Sequence, residues 1–212
     1  MANVFKNIRA CIANRQYQKV VAFAVAGMVV GALSSLGILF LLKESPQQAP
    51  TSEVPSATTS VAFSRSAPTR ISIPKIEVEA TFEKPLGLKE DKTIEVPDSY
   101  TQVGWYKNGP TPGEVGAAVV LGHVDSYKGP AVFWPLRKLE AGDEIEITRE
   151  DGSVAVFTVD SLARYSQDDF PTELVYGSTD TPTLRLVTCT GTYDKGEEKY
   201  SHNLVVYASL KQ

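Results

Sequence analysis

The sequence predicts an all-β domain preceded by one transmembrane helix and a disordered tether. Three observations carry this. From Arg70 onward, apolar residues recur in short alternating or continuous runs broken by Gly, Pro and Asp, which is the signature of short strands in a single barrel or sandwich. Before it, Val20 to Leu42 is uncharged and mostly apolar, long enough for a bilayer that needs about 20 such residues. Between the two lies a stretch rich in Pro, Ser, Thr, Ala and Gln, which cannot bury a core. The chain of 212 residues has a net charge of -4 and a pI near 5.3, so it carries no basic footprint for nucleic acid.

In order along the chain, residues 1–19 are basic, with Lys6, Arg9, Arg15 and Lys19 and no acid among them. The positive-inside rule makes this end cytoplasmic and everything after Leu42 extracytoplasmic. Residues 20–42 are read as a signal-anchor rather than a cleaved signal peptide, because signal h-regions run only about 7 to 15 residues. Residues 43–69 form the flexible linker, and 70–212 the globular domain. Cys11 falls on the cytoplasmic side and is expected to be a reduced thiol, unable to reach Cys189 across the bilayer.

Within the domain, Ile71–Pro74 and Ile76–Ala80 read as short strands split by proline, and Ile94–Pro97 as another. Ala117–Leu121 is a continuous apolar run suited to a buried strand. Glu144–Thr148 alternates, Asp151-Gly152 is a hairpin signal, and Val154–Val159 is the returning strand. Leu184–Thr188 and Leu204–Ala208 complete the set. Pro135–Glu140 and Thr172–Tyr176 are candidate short helices. About 140 residues suffice for one core.

Cys189 ends the apolar run Leu184–Thr188, with Gly191 breaking it. The chain has two cysteines and two histidines. A lone extracytoplasmic thiol with a distant histidine is the material of a nucleophile and its proton partner, although most such cysteines are small buried hydrophobes. His123 follows Ala117–Gly122 and so also lies at a strand end.

The segments LGHVDSYKGPAVFWPLRKLEAGDEIEI, DGSVAVFTV and LRLVTCTGTYD…YSHNLVVYA resemble a sortase. GHVDS…GPAVF, DDFPTELVYG and RISIPKIEVEA…VPDSYTQVGWY look like its class F branch. The resemblance spans Arg70 to Leu210 in order. It implies a closed β-barrel of about eight strands and a cysteine transpeptidase without a cofactor. Such an enzyme cuts Leu-Pro-x-Thr-Gly-like sorting signals, holds the threonine carbonyl as a thioacyl-enzyme, and passes it to an amine such as a peptidoglycan precursor or a pilin lysine. It implies Cys189 as nucleophile and His123 as acid/base, with Thr188 and Thr190 beside the cysteine in support; Asp125, two residues after His123, reads equally as an orienting carboxylate and as a turn-capping side chain.

One departure stands out. Class F stretches typically read Tyr-Arg-Asp-Asn where this chain has Tyr200-Ser201-His202-Asn203, so the family arginine is missing. Ser201 and His202 are its first candidate replacements and Arg185 the next, four residues before Cys189 and on its face of an ideal strand. Lys195 and Lys199 sit in what reads as a solvated turn. Trp105, Tyr106, Phe133 and Trp134 read mainly as core. A Cys189/His123/His202 zinc site is chemically conceivable, but its ligands are dispersed. An L,D-transpeptidase lacks its Ser-x-Gly-Cys signature here. The remaining alternative is a weakened sortase-like module that binds peptide or partner proteins.

Overall fold

The computed structural model describes residues 62–90 and 92–212. The expected membrane helix and most of the linker lie outside them, and among the described residues no helix is long and apolar enough to cross a membrane.

Among the described residues ten strands form: β1 Pro68–Ile73, β2 Val78–Leu86, β3 Val103–Tyr106, β4 Gly116–Leu121, β5 Asp125–Ser126, β6 Gly129–Pro130, β7 Glu144–Arg149, β8 Val154–Ser166, β9 Pro182–Asp194 and β10 Lys199–Leu210. A short helix, α1, covers Thr172–Tyr176, and 3-10 turns cover Pro74–Ile76 and Trp134–Lys138. Eight strands close a barrel in the order β1-β2-β3-β4-β9-β10-β8-β7, and β5-β6 is a separate small hairpin. The closed all-β barrel expected of the sequence is present.

Alternation along the strands explains the layering. Ile71, Val78, Val103, Ala118, Ile145, Ala155, Leu184 and Leu204 point inward, one from each barrel strand, and join a single interior cluster. Phe133, Leu136 and Leu139 belong to the same cluster. The opposite parity of β4, β9 and β10 gives Val119, Leu121, Val187 and Val205, which form an outer cluster with Phe170 and, from α1, Val175. The central strands are therefore buried on both faces, which is why Ala117–Leu121 reads as a continuous apolar run rather than an alternating one.

Three expectations differ from the structure. Ile94–Pro97 is not a strand; Ile94 makes one isolated bridge to Leu88, while the Glu95 carboxylate accepts the Gly87 amide at 2.7 Å. β9 does not end at Cys189 but continues to Asp194, because Gly191 adopts φ 88° and accommodates a register shift in β10 between Tyr200 and His202. The chain also engages the barrel before Arg70. Phe63 packs against the interior cluster, its amide donates to Gly113 O, and the fully buried Arg149 donates to Ser64 O.

Candidate active site

β4 and β9 run parallel, and their register is constant from Gly116↔Pro182 to Leu121↔Val187. The alignment persists beyond the ladder. Gly122 N donates to Val187 O at 3.2 Å, and Thr188 Oγ1 donates to Gly122 O at 2.8 Å. One residue beyond Gly122 and Thr188 stand His123, just past the end of β4, and Cys189, within β9. Val119 and Leu121 lie on the outer face of β4 and Val187 on that of β9, so alternation carries His123 and Cys189 to the same outer face. Adjacent strands lie about 4.8 Å apart, so the end of β4 and the Cys189 stretch of β9 are neighbours in space. Thr188, buried and bonded to Gly122, is the clasp between them.

His123 is 5% exposed. Its Nε2 lies 2.7 Å from Pro97 O, and the Tyr100 ring packs against it at 4.8 Å between centroids. A carbonyl only accepts, so Nε2 carries the proton in the neutral ring and Nδ1 keeps the lone pair. Burial lowers the pKa of His123 below its ordinary 6.5; the Pro97 carbonyl and the charges of Glu83, Asp125 and Asp98 oppose this more weakly. The resting imidazole is thus neutral at neutral pH and able to take a proton through Nδ1.

Cys189 is half-buried. The structure gives the Cys189 sulfur as disulfide-bonded, whereas the sequence predicts a thiol. Nucleophilic chemistry belongs to the reduced sulfur, for which the disulfide sulfur stands in.

Asp125 is hydrogen-bonded to the Tyr200 hydroxyl, which ties the loop after His123 to β10. Burial, then this carboxylate, pushes the Tyr200 phenol well above its ordinary range. Asp125 acts on His123 only through its charge.

The candidate replacements for the arginine are placed differently from one another. Ser201 lies at the β10 register shift, where its hydroxyl accepts the Thr192 amide at 3.0 Å and bonds His202 Nδ1 at 2.8 Å. Its side chain serves the bulge. His202 pairs with Thr190 and has the parity of Leu204 and Val206, which point into the barrel, so it lies on the face opposite Cys189. Arg185 shares the face of Cys189, but four residues of strand separate them by about 13 Å. Its guanidinium donates to Leu184 O at 3.0 Å and lies 4.5 Å from the Tyr207 ring centroid, and burial lowers its pKa. Lys199 is ion-paired with Glu197, and Asp194 Oδ1 accepts the Gly196 and Glu197 amides, making that loop the expected solvated turn. Among the described residues no cluster of three or more potential metal ligands occurs.

Sequence reasoning missed Asn203. It is the residue paired with Cys189 across the β9-β10 ladder. The available signal was parity: Asn203 shares the face of Val205 and Tyr207, both on the outer side of β10.

A family model described as a sortase domain matches residues 71–211. A search of curated proteins finds no match. Among solved structures, the chain is similar to the sortase D5 transpeptidase of Clostridium perfringens, with 23% identity, 69% of this chain and 79% of that one covered, and a TM-score of 0.51. It is also similar to sortase A of Corynebacterium diphtheriae (23%, 70% and 62%, 0.52) and to sortase C1 of Streptococcus agalactiae (21%, 68% and 66%, 0.51). The chain thus spans under two thirds of the length of these last two. At such identities the likeness is one of fold.

Proposed function

The chain belongs to the sortase family, the cysteine transpeptidases, and from that premise we propose that Cys189 is its nucleophile and His123 its acid/base. The observation that supports this is the parallel β4-β9 register, which runs from Gly116↔Pro182 to Leu121↔Val187 and on through the Thr188–Gly122 hydrogen bond, to the level of His123 and Cys189. The substrate is a polypeptide bearing a Leu-Pro-x-Thr-Gly-like sorting signal, and the acceptor is an amine of a cell-wall precursor or a pilin. The domain works outside the cell, held by residues 20–42 as a single-pass anchor, and the motifs GHVDS…GPAVF, DDFPTELVYG and RISIPKIEVEA…VPDSYTQVGWY favour the class F branch.

His123 Nδ1 takes the thiol proton as Sγ attacks the threonine carbonyl carbon. The carbonyl π electrons move to oxygen, giving a tetrahedral oxyanion. Its collapse breaks the C–N bond, and the leaving amine takes the proton back from His123. A thioester remains on Cys189. An incoming amine then attacks the same carbon and gives a proton to His123; thiolate departs and is reprotonated, and an amide forms.

The test uses the full chain in detergent with a reducing agent, a Leu-Pro-x-Thr-Gly peptide library and a glycine-based amine. Mass spectrometry is expected to find an acyl adduct on Cys189 and amide product, both abolished in Cys189→Ala. His123→Ala is expected to slow transfer by about 10² to 10⁴. A folded protein that binds these peptides and never forms the adduct would instead be a binding module.

A further inference from the structure

We propose that Asn203 supplies the hydrogen bond that stabilises the oxyanion at Cys189; this rests on the roles of Cys189 and His123 given above. The register Asn203↔Cys189 continues as Leu204↔Thr188 and Val205↔Val187. Directly opposed residues of an antiparallel pair project to one face, with Cβ atoms about 4.5–5.5 Å apart. Val205 and Val187 are both in the outer cluster and Leu204 in the interior one, so Asn203 projects to the Cys189 side. β4, β9 and β10 are successive barrel strands. They therefore carry His123, Cys189 and Asn203 in a row, with the nucleophile in the middle.

That order suits the chemistry. A carbonyl attacked by Sγ develops two groups needing opposite treatment: an amine that must gain a proton and an oxygen that gains charge. With His123 on one flank, the amine leaves toward it and the oxygen turns to the other flank. The polar side chain paired with Cys189 on that flank is Asn203. It is 2% exposed, and its Oδ1 is buried with no hydrogen-bond partner. A buried side-chain oxygen without a partner is rare in folded proteins and calls for a reason. A half-turn about its last torsion exchanges C=O for NH₂, so the group can present an N–H to the substrate oxygen. Ser201, His202 and Arg185 are otherwise directed, as described above. A neutral amide would thus do here what a cation does in relatives that have the arginine.

The test compares wild type with Asn203→Leu and Asn203→Asp, all as full chain in detergent under reducing conditions. Three rates are read: acylation of Cys189 by a Leu-Pro-x-Thr-Gly peptide, acylation by N-acetylthreonine 4-nitrophenyl ester, and alkylation of Cys189 by iodoacetamide. Both variants are expected to lose about 10² to 10³ in acylation by either donor at pH 8. Alkylation, which develops no oxyanion, is expected to stay within twofold, and the melting temperature of the leucine variant to equal or exceed that of wild type. Acylation within threefold of wild type in Asn203→Leu overturns the proposal. So does a parallel fall in alkylation, which would mean that Asn203 acts on the thiol. If the ester acylates wild type and the peptide does not, the sorting-signal reading fails while the ester rates still decide the role of Asn203. A wild-type Cys189 that alkylates but accepts neither acyl donor overturns both.

Discussion

His123 is buried as a neutral ring, and stability should record this. Its folded-state pKa lies below the ordinary 6.5 because burial disfavours the charged form. Between those two values the unfolded chain binds more protons than the folded one, so stability falls as pH falls. The contribution is complete above about pH 6.5 and is lost on the way down to the lowered pKa. Melting temperatures measured from pH 7.5 to 5 are expected to drop more steeply for wild type than for His123→Gln. Glu79, Asp151 and Asp194 are also held low, by hydrogen bonds from Ser72, Ser153 and the Glu197 amide first. Their ordinary values are 4.5, 3.8 and 3.8, so they act in a lower window. Equal slopes in the two proteins would mean that His123 is not the group being charged.

At the scale of elements, the end of β4 aims the imidazole. A Cβ on Gly122 would come within 2.6 Å of the Phe133 ring, and Phe133 N donates to His123 O at 2.9 Å. Gly122→Ala therefore presses on the segment that positions His123. Overpacking of this kind costs about 1–3 kcal/mol. The expected result is a modest fall in melting temperature beside a loss of about 10² in transfer rate, because a misplacement of about 1 Å can cost that much. An unchanged rate would show that His123 is positioned otherwise. The legible elements were those whose side chains follow one rule throughout. β7 alternates, β4 is continuously apolar, and α1 was predicted at Thr172–Tyr176 and forms there. β3 was not legible. Its four residues VGWY hold no pattern, and it becomes a strand only by pairing with β2 and β4. The site divided in the same way. Cys189 and His123 could be read because each ends an apolar run, whereas Asn203 depends on the β10 register. Shifting that register by one residue moves every side chain to the other face, and nothing local in Tyr200-Ser201-His202-Asn203 fixes it.

In the whole molecule, every barrel strand lends side chains to one interior cluster, and β1 closes the circle by pairing with both β2 and β7. His123 and Cys189 are distant in sequence and meet through a parallel pair, so the barrel must form before the site exists. The β7-β8 turn lies between them along the chain. At Gly152 the backbone has φ 81°, and a Cβ built there meets nothing within 4 Å. A break at this tip would leave one fragment with the proton carrier and the other with the sulfur. Each alone is expected to be silent in peptide transfer. Residues 1–151 and 152–212, each fused to one half of a heterodimerising pair, are expected to regain it when mixed. The chemistry would then work as a two-part switch, reporting on whatever brings the halves together.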